Sequence, residues 1–485
     1  MKNQQLRTIS EYERPLFHLT PEIGWMNDPN GFSWYQGKYH LFYQCYPLAT
    51  NWGPTRWGHA VSDDLIRWER LPDALTPEEE YETFGCFSGT AVDAGRHMLM
   101  YTGCRLDPDD GKGRGFQTQC MAFGDGRSYE KYSGNPVITA DALPEGSDPY
   151  EFRDPKLWIE QDGTYRAVIA NHHEELGAQI LLFRSEDGLR WEFVKVLLRN
   201  LGKPGWMWEC PDFFPLEGRQ VLIVSTMGEV EALCLIGEYD RESETFHEIT
   251  WHNMEQGFDF YGGETMLAPD GRRILIGWMQ NPATSENRDI DFPINGQMSI
   301  PRELYFRGDR LMQRPVRELA EYREDEVIYR NLKLGGNSGA GEPEDIHLDG
   351  ICGRTVDMEI SIRPDEDAEG GQDTYRLFRM RFAKDEEHYT EFTYEPQTSM
   401  ATLDRSHSGP GRTKLVRKQT KIRDRNGQLD IRLILDRLSA ELFINDGEQV
   451  MSAVIYTDRH AEDITFYVNG AAVMDIAKYR MKENK

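Results

Sequence analysis

Several things are scarce in this chain, and each scarcity narrows its function. No stretch of about 18 consecutive apolar residues occurs, so no transmembrane helix is expected. The opening MKNQQLRTISEYERPLF lacks an apolar core of signal-peptide length, which points to a cytoplasmic protein. Cations are few: 55 Lys and Arg stand against 82 Asp and Glu, a formal charge of −27. That field repels phosphate backbones and anionic lipid, so neither a nucleic acid nor a membrane is an expected partner, and a neutral small molecule suits better. The seven cysteines are Cys45, Cys86, Cys104, Cys120, Cys210, Cys234 and Cys352, with no CxxC pair among them. This spacing offers neither a zinc knuckle nor a disulfide framework, and buried free thiols in a reducing compartment are expected. No metal and no cofactor is anticipated. A GxSxG serine elbow is absent, and helical periodicity is rare.

What the chain does have is length, turns and alternation. Its 485 residues suggest two or three domains, and 44 Gly with 24 Pro spread throughout imply many short strands. Period-two apolar patterns at residues 39–46, 98–101, 165–170, 221–226 and 274–279 read as strands. One helix is expected, over PVRELAEYRE at residues 315–324, with Pro near its start and Val316, Leu319 and Tyr322 on one face.

A weak repeat runs through the first part. SDDLIRW ends at Trp68, GDGRSY at Tyr129, SEDGLRW at Trp191 and ETF at Phe246, in steps of 61, 62 and 55 residues. One four-stranded antiparallel unit per step is the signature of propeller blades, and about 310 residues at this period make five. A second series, Asp28, Ser88, Asp154, Glu209 and Glu264, runs at similar spacing, one residue per blade. Innermost strands of a propeller surround one axis, so such side chains converge on a single funnel. With 82 acidic residues, chance also supplies some matches of this kind. After residue 315 the pattern becomes that of half-solvated antiparallel strands, at 355–363, 429–436, 440–445 and 450–456, the last two joined through Asn445-Asp446-Gly447. The expected architecture is all-β: a five-bladed propeller over residues 1–314, a helical linker over 315–330 and a β-sandwich over 331–485. Residues 334–349 read as a loop without a chemical motif, and exposed sandwich sheet could pair subunits into a homo-oligomer.

Three blocks could carry chemistry. In WMNDPNG, Asp28 precedes a proline and a tight turn, so its carboxylate stands on a stiff ledge, as a nucleophile or simply as a cap on backbone amides. In FRDPK, Arg153 can brace a carboxylate or a sugar hydroxyl, or form a structural pair with an Asp at a turn. In WMWECPD, Glu209 lies among Trp206, Met207 and Trp208. Were these to crowd it, desolvation would keep it protonated, as a general acid requires; the alternative is a core strand with one misplaced Glu. Of the remainder, His172-His173-Glu174-Glu175 reads as a solvated loop rather than a metal site. The glycine-rich DDGKGRG at residues 109–115 lacks phosphate-loop spacing and reads as a loop at the funnel rim.

WMNDPNG, FRDPK and WECPD in this order, with Phe87-Ser88-Gly89-Thr90 and the YQCY around Gln44, resemble glycoside hydrolase family 32, and within it the intracellular bacterial sucrose-6-phosphate hydrolases or invertases. The likeness runs from His18 through Pro301-Arg302-Glu303-Leu304 to the end. It implies a five-bladed propeller followed by a sandwich, with Asp28 as nucleophile, Glu209 as acid/base and Asp154 as transition-state stabiliser. By the same resemblance Asn27, Gln44, Trp52, Phe87, Ser88 and Arg153 line the subsite for a terminal fructose. The implied reaction is retaining hydrolysis of β-fructofuranosides such as sucrose, sucrose 6-phosphate or short fructans, with Asp28 and Glu209 carboxyls about 5–5.5 Å apart. A fructosyltransferase using the same double displacement and a silent glycan-binding propeller are the alternatives. One departure stands out: where the family often has Ala-Pro-Gln, this chain has Gly262-Gly263-Glu264 after Asp259-Phe260-Tyr261. Glu264 either binds a substrate hydroxyl or pairs with a basic neighbour.

Overall fold

The computed structural model describes residues 6–108, 111, 113–229, 231–284, 292–335, 345–367, 375–409, 415–423 and 425–483. Parts of two expected loops, residues 109, 110 and 112 and residues 336–344, lie outside the described residues. Strand dominates, as the alternating patterns require, and among the described residues the helical segments are 3-10 turns of three to six residues. The helix expected at 315–324 is one of these, Arg317–Tyr322, and the chain then enters a strand, Arg323–Leu334. Only Leu319 is buried in that turn, so an apolar stripe sufficient to hold a longer helix is missing. The expected helical linker over 315–330 is therefore a short turn followed by sheet.

The chain divides into two compact units, one gathering residues 19–254 and 260–305, the other residues 9–18, 255–259 and 306–485. Segments 9–18 and 255–259, expected with the propeller, cluster with the second unit. The reason is polar and buried: His18 contacts Asp436 and Glu441 at 2.8 and 3.0 Å, and Asp259 accepts from the backbone N–H of Val454 at 2.7 Å.

Five sheets follow one another along the chain as propeller blades, each ordered outward from its first strand. Those first strands are Gly24–Tyr35, Gly85–Asp93, Ser147–Ile159, Met207–Leu216 and Tyr261–Leu267, and each packs against the first strands of its two neighbours, closing a ring. Apolar clusters fill the gaps between blades: Phe42, Trp57, Leu99 and Tyr101 between the first and second, Met100, Phe152, Ile169 and Phe183 between the second and third, and Trp208, Leu222, Val168 and Ile180 between the third and fourth. A short strand, Ile294–Asn295, adds in parallel to the start of the first blade.

The weak sequence repeat has a physical origin. Trp68 and Trp191 immediately precede the fourth strands of their blades, Tyr129 opens one, and Phe246 lies second in another. The turn before each aromatic is tied by an aspartate. Asp64 Oδ1 accepts from the N–H groups of Ile66 and Arg67, Asp125 from Arg127 and Ser128, and Asp187 from Leu189 and Arg190, all at 2.8–2.9 Å.

The second unit is a β-sandwich of a six-stranded and a five-stranded sheet. Val356, Met358, Ile360 and Ile362 alternate into its core, as the period-two pattern requires. The hairpin through Asn445-Asp446-Gly447 has positive φ at all three residues, which Asn, Asp and Gly tolerate best.

Candidate active site

Every first strand breaks pairing register, those of the first and third blades twice, and among the residues displaced at the breaks are Asn27-Asp28, Ser88, Asp154-Pro155, Cys210-Pro211 and Gly262-Gly263. A bulge re-aims side chains and strengthens local twist, and proline is tolerated there because its missing N–H leaves no ladder bond unmade. Asp154 and Cys210 adopt φ of 61° and 48°, the left-handed region that such a turn demands. This structural series corrects the sequence series at two points. Glu209 stands immediately before its break and Glu264 immediately after, so the five polar residues do not share one level of the axis.

Above the breaks lies a cavity of about 460 Å³. Asn27, Asp28, Gln44, Trp52, Phe87, Arg153, Asp154 and Glu209 all line it, so eight of the nine residues expected at the site converge. The ninth, Ser88, is buried behind Asp28 and does not wall the cavity; its hydroxyl donates to Asp28 Oδ2 at 2.9 Å and accepts from Gln44 Nε2. Its hydroxyl bears directly on the Asp28 carboxylate. Gly113, Arg114 and Gly115 line the same cavity, in agreement with a rim position for that glycine-rich run.

Asp28, Asp154 and Glu209 meet here around the Arg153 guanidinium. Burial, with the Glu209 charge adding to it, pushes Asp28 up to about 6, against the opposing hydrogen bonds from Ser88 and Asn27. Burial also raises Asp154, opposed by Arg153 and reinforced by Glu209 and Asp28. Asp154 Oδ2 accepts from the Cys210 N–H at 3.0 Å, while its own N–H donates to Thr102 Oγ1 at 3.0 Å. Arg153 Nε donates to Glu209 Oε1 at 2.9 Å, and Nη1 pairs with Glu151. A phenol completes the surroundings of Glu209: Tyr261 donates its O–H to Oε2.

The expected crowding of Glu209 by its neighbours does not occur. Trp206 is exposed and meets His172 edge-on, while Met207 and Trp208 are buried in the inter-blade core, where Trp208 Nε1 donates to the Pro204 carbonyl at 2.9 Å. The groups that do face Glu209, Arg153 and Tyr261, come from the third and fifth blades, beyond the reach of local sequence reading. Tyr261 was visible only as the last residue of Asp-Phe-Tyr, with nothing nearby to announce its partner. Gly262 has a clearer necessity. At φ 59°, a Cβ there would lie 2.8 Å from Asp28 Oδ1, so a side chain would displace the carboxylate.

Beneath the breaks sits a charged layer. Lys156 Nζ donates to Glu264 Oε1 at 3.1 Å and to the Thr265 carbonyl at 2.8 Å, and lies 3.5 Å from Asp212 Oδ1. Burial raises Glu264 to about 7, with Lys156 opposing and Asp212 adding. Glu264 does not line the upper cavity, so of its two expected roles the pairing with a basic neighbour is the one observed. His173 Nδ1 accepts from the N–H groups of Glu175 and Leu176, a loop turn. Among the described residues no cluster of three or more His, Cys, Asp or Glu is arranged to hold a metal ion, and no helix is long and apolar enough to cross a membrane.

Comparison with known proteins follows the same lines. Residues 18–315 match the glycosyl hydrolases family 32 N-terminal domain, and residues 318–483 the glycosyl hydrolases family 32 C-terminal domain. The chain belongs to glycosyl hydrolase family 32. This family 32 hydrolase is 33% identical to the sucrose-6-phosphate hydrolase of Escherichia coli, over 95% of its own length and 93% of that protein's. It is 32% identical to the levanase of Bacillus subtilis, over 95% and 69%. Among solved structures, the Bombyx mori GH32 β-fructofuranosidase BmSUC1 superimposes with a TM-score of 0.81 at 32% identity, covering 98% of this chain and 95% of that one. The fructan 1-exohydrolase IIa of Cichorium intybus gives 0.83 at 25% identity, covering 98% and 99%.

Proposed function

We propose that this glycoside hydrolase removes terminal β-D-fructofuranosyl units from sucrose, sucrose 6-phosphate or short fructo-oligosaccharides, with retention at the anomeric carbon. Glu209 donates a proton to the glycosidic oxygen while Asp28 attacks the anomeric carbon. Water then opens the covalent fructosyl-enzyme, with Glu209 taking the proton back. Asp154 stabilises the positive charge that develops on the ring. The observation that carries this reading is the meeting of Asp28, Asp154 and Glu209, from three blades, in one cavity. A structure of the Bombyx mori relative, a mutant, holds sucrose, and one of the Cichorium intybus relative holds 1-kestose.

A reducing compartment, the cytoplasm, suits the seven free cysteines.

Incubation of the purified protein with sucrose tests the proposal. Equal release of glucose and fructose is expected, together with complete loss of turnover in Asp28→Ala. Excess glucose indicates transfer to a second sugar, and no release indicates binding alone. Proton NMR of the first product should show β-fructofuranose; the α anomer would exclude retention.

A further inference from the structure

The last strand of the six-stranded sheet, Ala472–Met481, carries an interior row that changes character. Ala472, Met474 and Ile476 are buried in the sandwich core, and the next two residues on that face are Lys478 and Arg480. Lys478 pairs in the sheet with Val327 and Met358 and is only 7% exposed, yet among the described residues it has neither a hydrogen bond nor an ion pair. Its side chain meets a cavity of about 450 Å³ at the end of that core.

The cavity inverts the sign of the rest of the protein. Arg354, Arg437, Arg459, Lys478 and Arg480 line it together with His460, against the carboxylates of Glu13, Glu462 and Glu483, on a chain of net charge −27. Two of the guanidiniums are held in place by backbone. Arg437 Nη1 donates to the carbonyls of Glu11 and Arg14 at 3.1 and 2.8 Å, and Arg354 Nη2 donates to the Arg437 carbonyl at 2.8 Å. Arg459 reaches the Glu13 carbonyl at 3.4 Å and its carboxylate at 3.5 Å, Arg437 pairs with Glu483 at 3.0 Å, and Arg480 pairs with Glu324 and Asp325 at 2.7 and 2.8 Å, which leaves Lys478 as a cation of the wall without a counter-charge among the described residues. The Lys478 side chain meets the cavity without a counter-charge, and an anion there would supply one.

We infer that this cavity is a binding site for a small anion of the phosphate class, with Lys478 as its central ligand. A phosphate group brings up to two charges and several acceptor oxygens, which suits an ammonium without a counter-charge in a wall that also carries the Arg354 guanidinium. The volume exceeds that of inorganic phosphate and leaves room for a small organic group esterified to it.

Calorimetric titration of the intact protein with inorganic phosphate and with glycerol 3-phosphate, at ionic strength held constant with chloride, tests the site. Saturable binding is expected, weakened at least tenfold in Lys478→Met and severalfold in Arg459→Gln. Methionine continues the apolar row of Met474 and Ile476, so Lys478→Met should fold and keep its turnover of sucrose. Saturable binding that survives unchanged in both variants places the anion elsewhere and overturns the inference. Absence of binding by either probe up to roughly 20 mM overturns it as well.

Discussion

Lys156 is the cation between two buried acids, and replacing it with methionine should expose how much that layer matters. Its side chain is 12% exposed, while those of Asp212 and Glu264 are 1% and 8% exposed, so Lys156→Met leaves two carboxylates with little access to water. Removing one partner from a buried pair costs about 3–5 kcal/mol. In a protein of this size the melting temperature should fall by roughly 3–8 °C. The deficit should also depend on pH. Glu264 titrates at about 7 in the folded protein against an ordinary value of 4.5. Its raised value means that the stability it contributes is present below about 4.5 and lost as pH rises through 7. Loss of Lys156 removes the largest influence that lowers it, so the variant's deficit should be smaller at pH 5, where Glu264 holds a proton and only the loss at Asp212 remains, than at pH 8. Guanidinium unfolding of wild type, Lys156→Met and Lys156→Met/Glu264→Gln at both pH values measures this. The second substitution should recover at least half of the loss at pH 8. A deficit equal at both pH values, or one that Glu264→Gln deepens, would refute the argument.

The remaining predictions concern single contacts. Asp28 must be ionised to attack, so kcat/KM should fall as pH drops below about 6; Ser88→Ala removes a hydrogen bond that lowers Asp28 and should move this acid limb upward, and a pH profile with an unmoved limb would count against the positioning role of Ser88. Glu209→Gln should reduce kcat on sucrose by about 10²–10⁴-fold but much less on an aryl fructofuranoside, whose leaving group needs no proton; equal losses on both would deny Glu209 the role of acid. In the second unit, burial lowers His18 but Asp436 and Glu441 together lift it to about 9. Its stabilisation is full below about 6.5 and lost as pH rises to 9, so thermal unfolding of wild type should weaken over that window while His18→Gln stays flatter; parallel curves would contradict the ion triad.

The parts of this protein readable from its sequence are those that depend on neighbours along the chain. Alternation of apolar residues is local, so the second strands of the blades were visible at residues 39–46, 98–101, 165–170, 221–226 and 274–279. The aspartate-tied turns before Trp68, Tyr129 and Trp191 recur because each closes on itself within four residues. The Glu209 surroundings failed to emerge because a strand sends successive side chains to opposite faces, and the bulge at Cys210 alters that count.

Sequence alone therefore determined an all-β chain, a repeat of about sixty residues and the acids Asp28, Asp154 and Glu209 within recognisable motifs. Tertiary structure alone decided that Glu264 lies under the cavity on Lys156, that Ser88 stands behind Asp28, that Tyr261 meets Glu209, and that Gly262 must lack a side chain. The physical reason is ring closure: five bulges from strands some fifty to sixty residues apart are set at heights along one axis, and a shift of a single residue moves a side chain from the cavity to the layer beneath it.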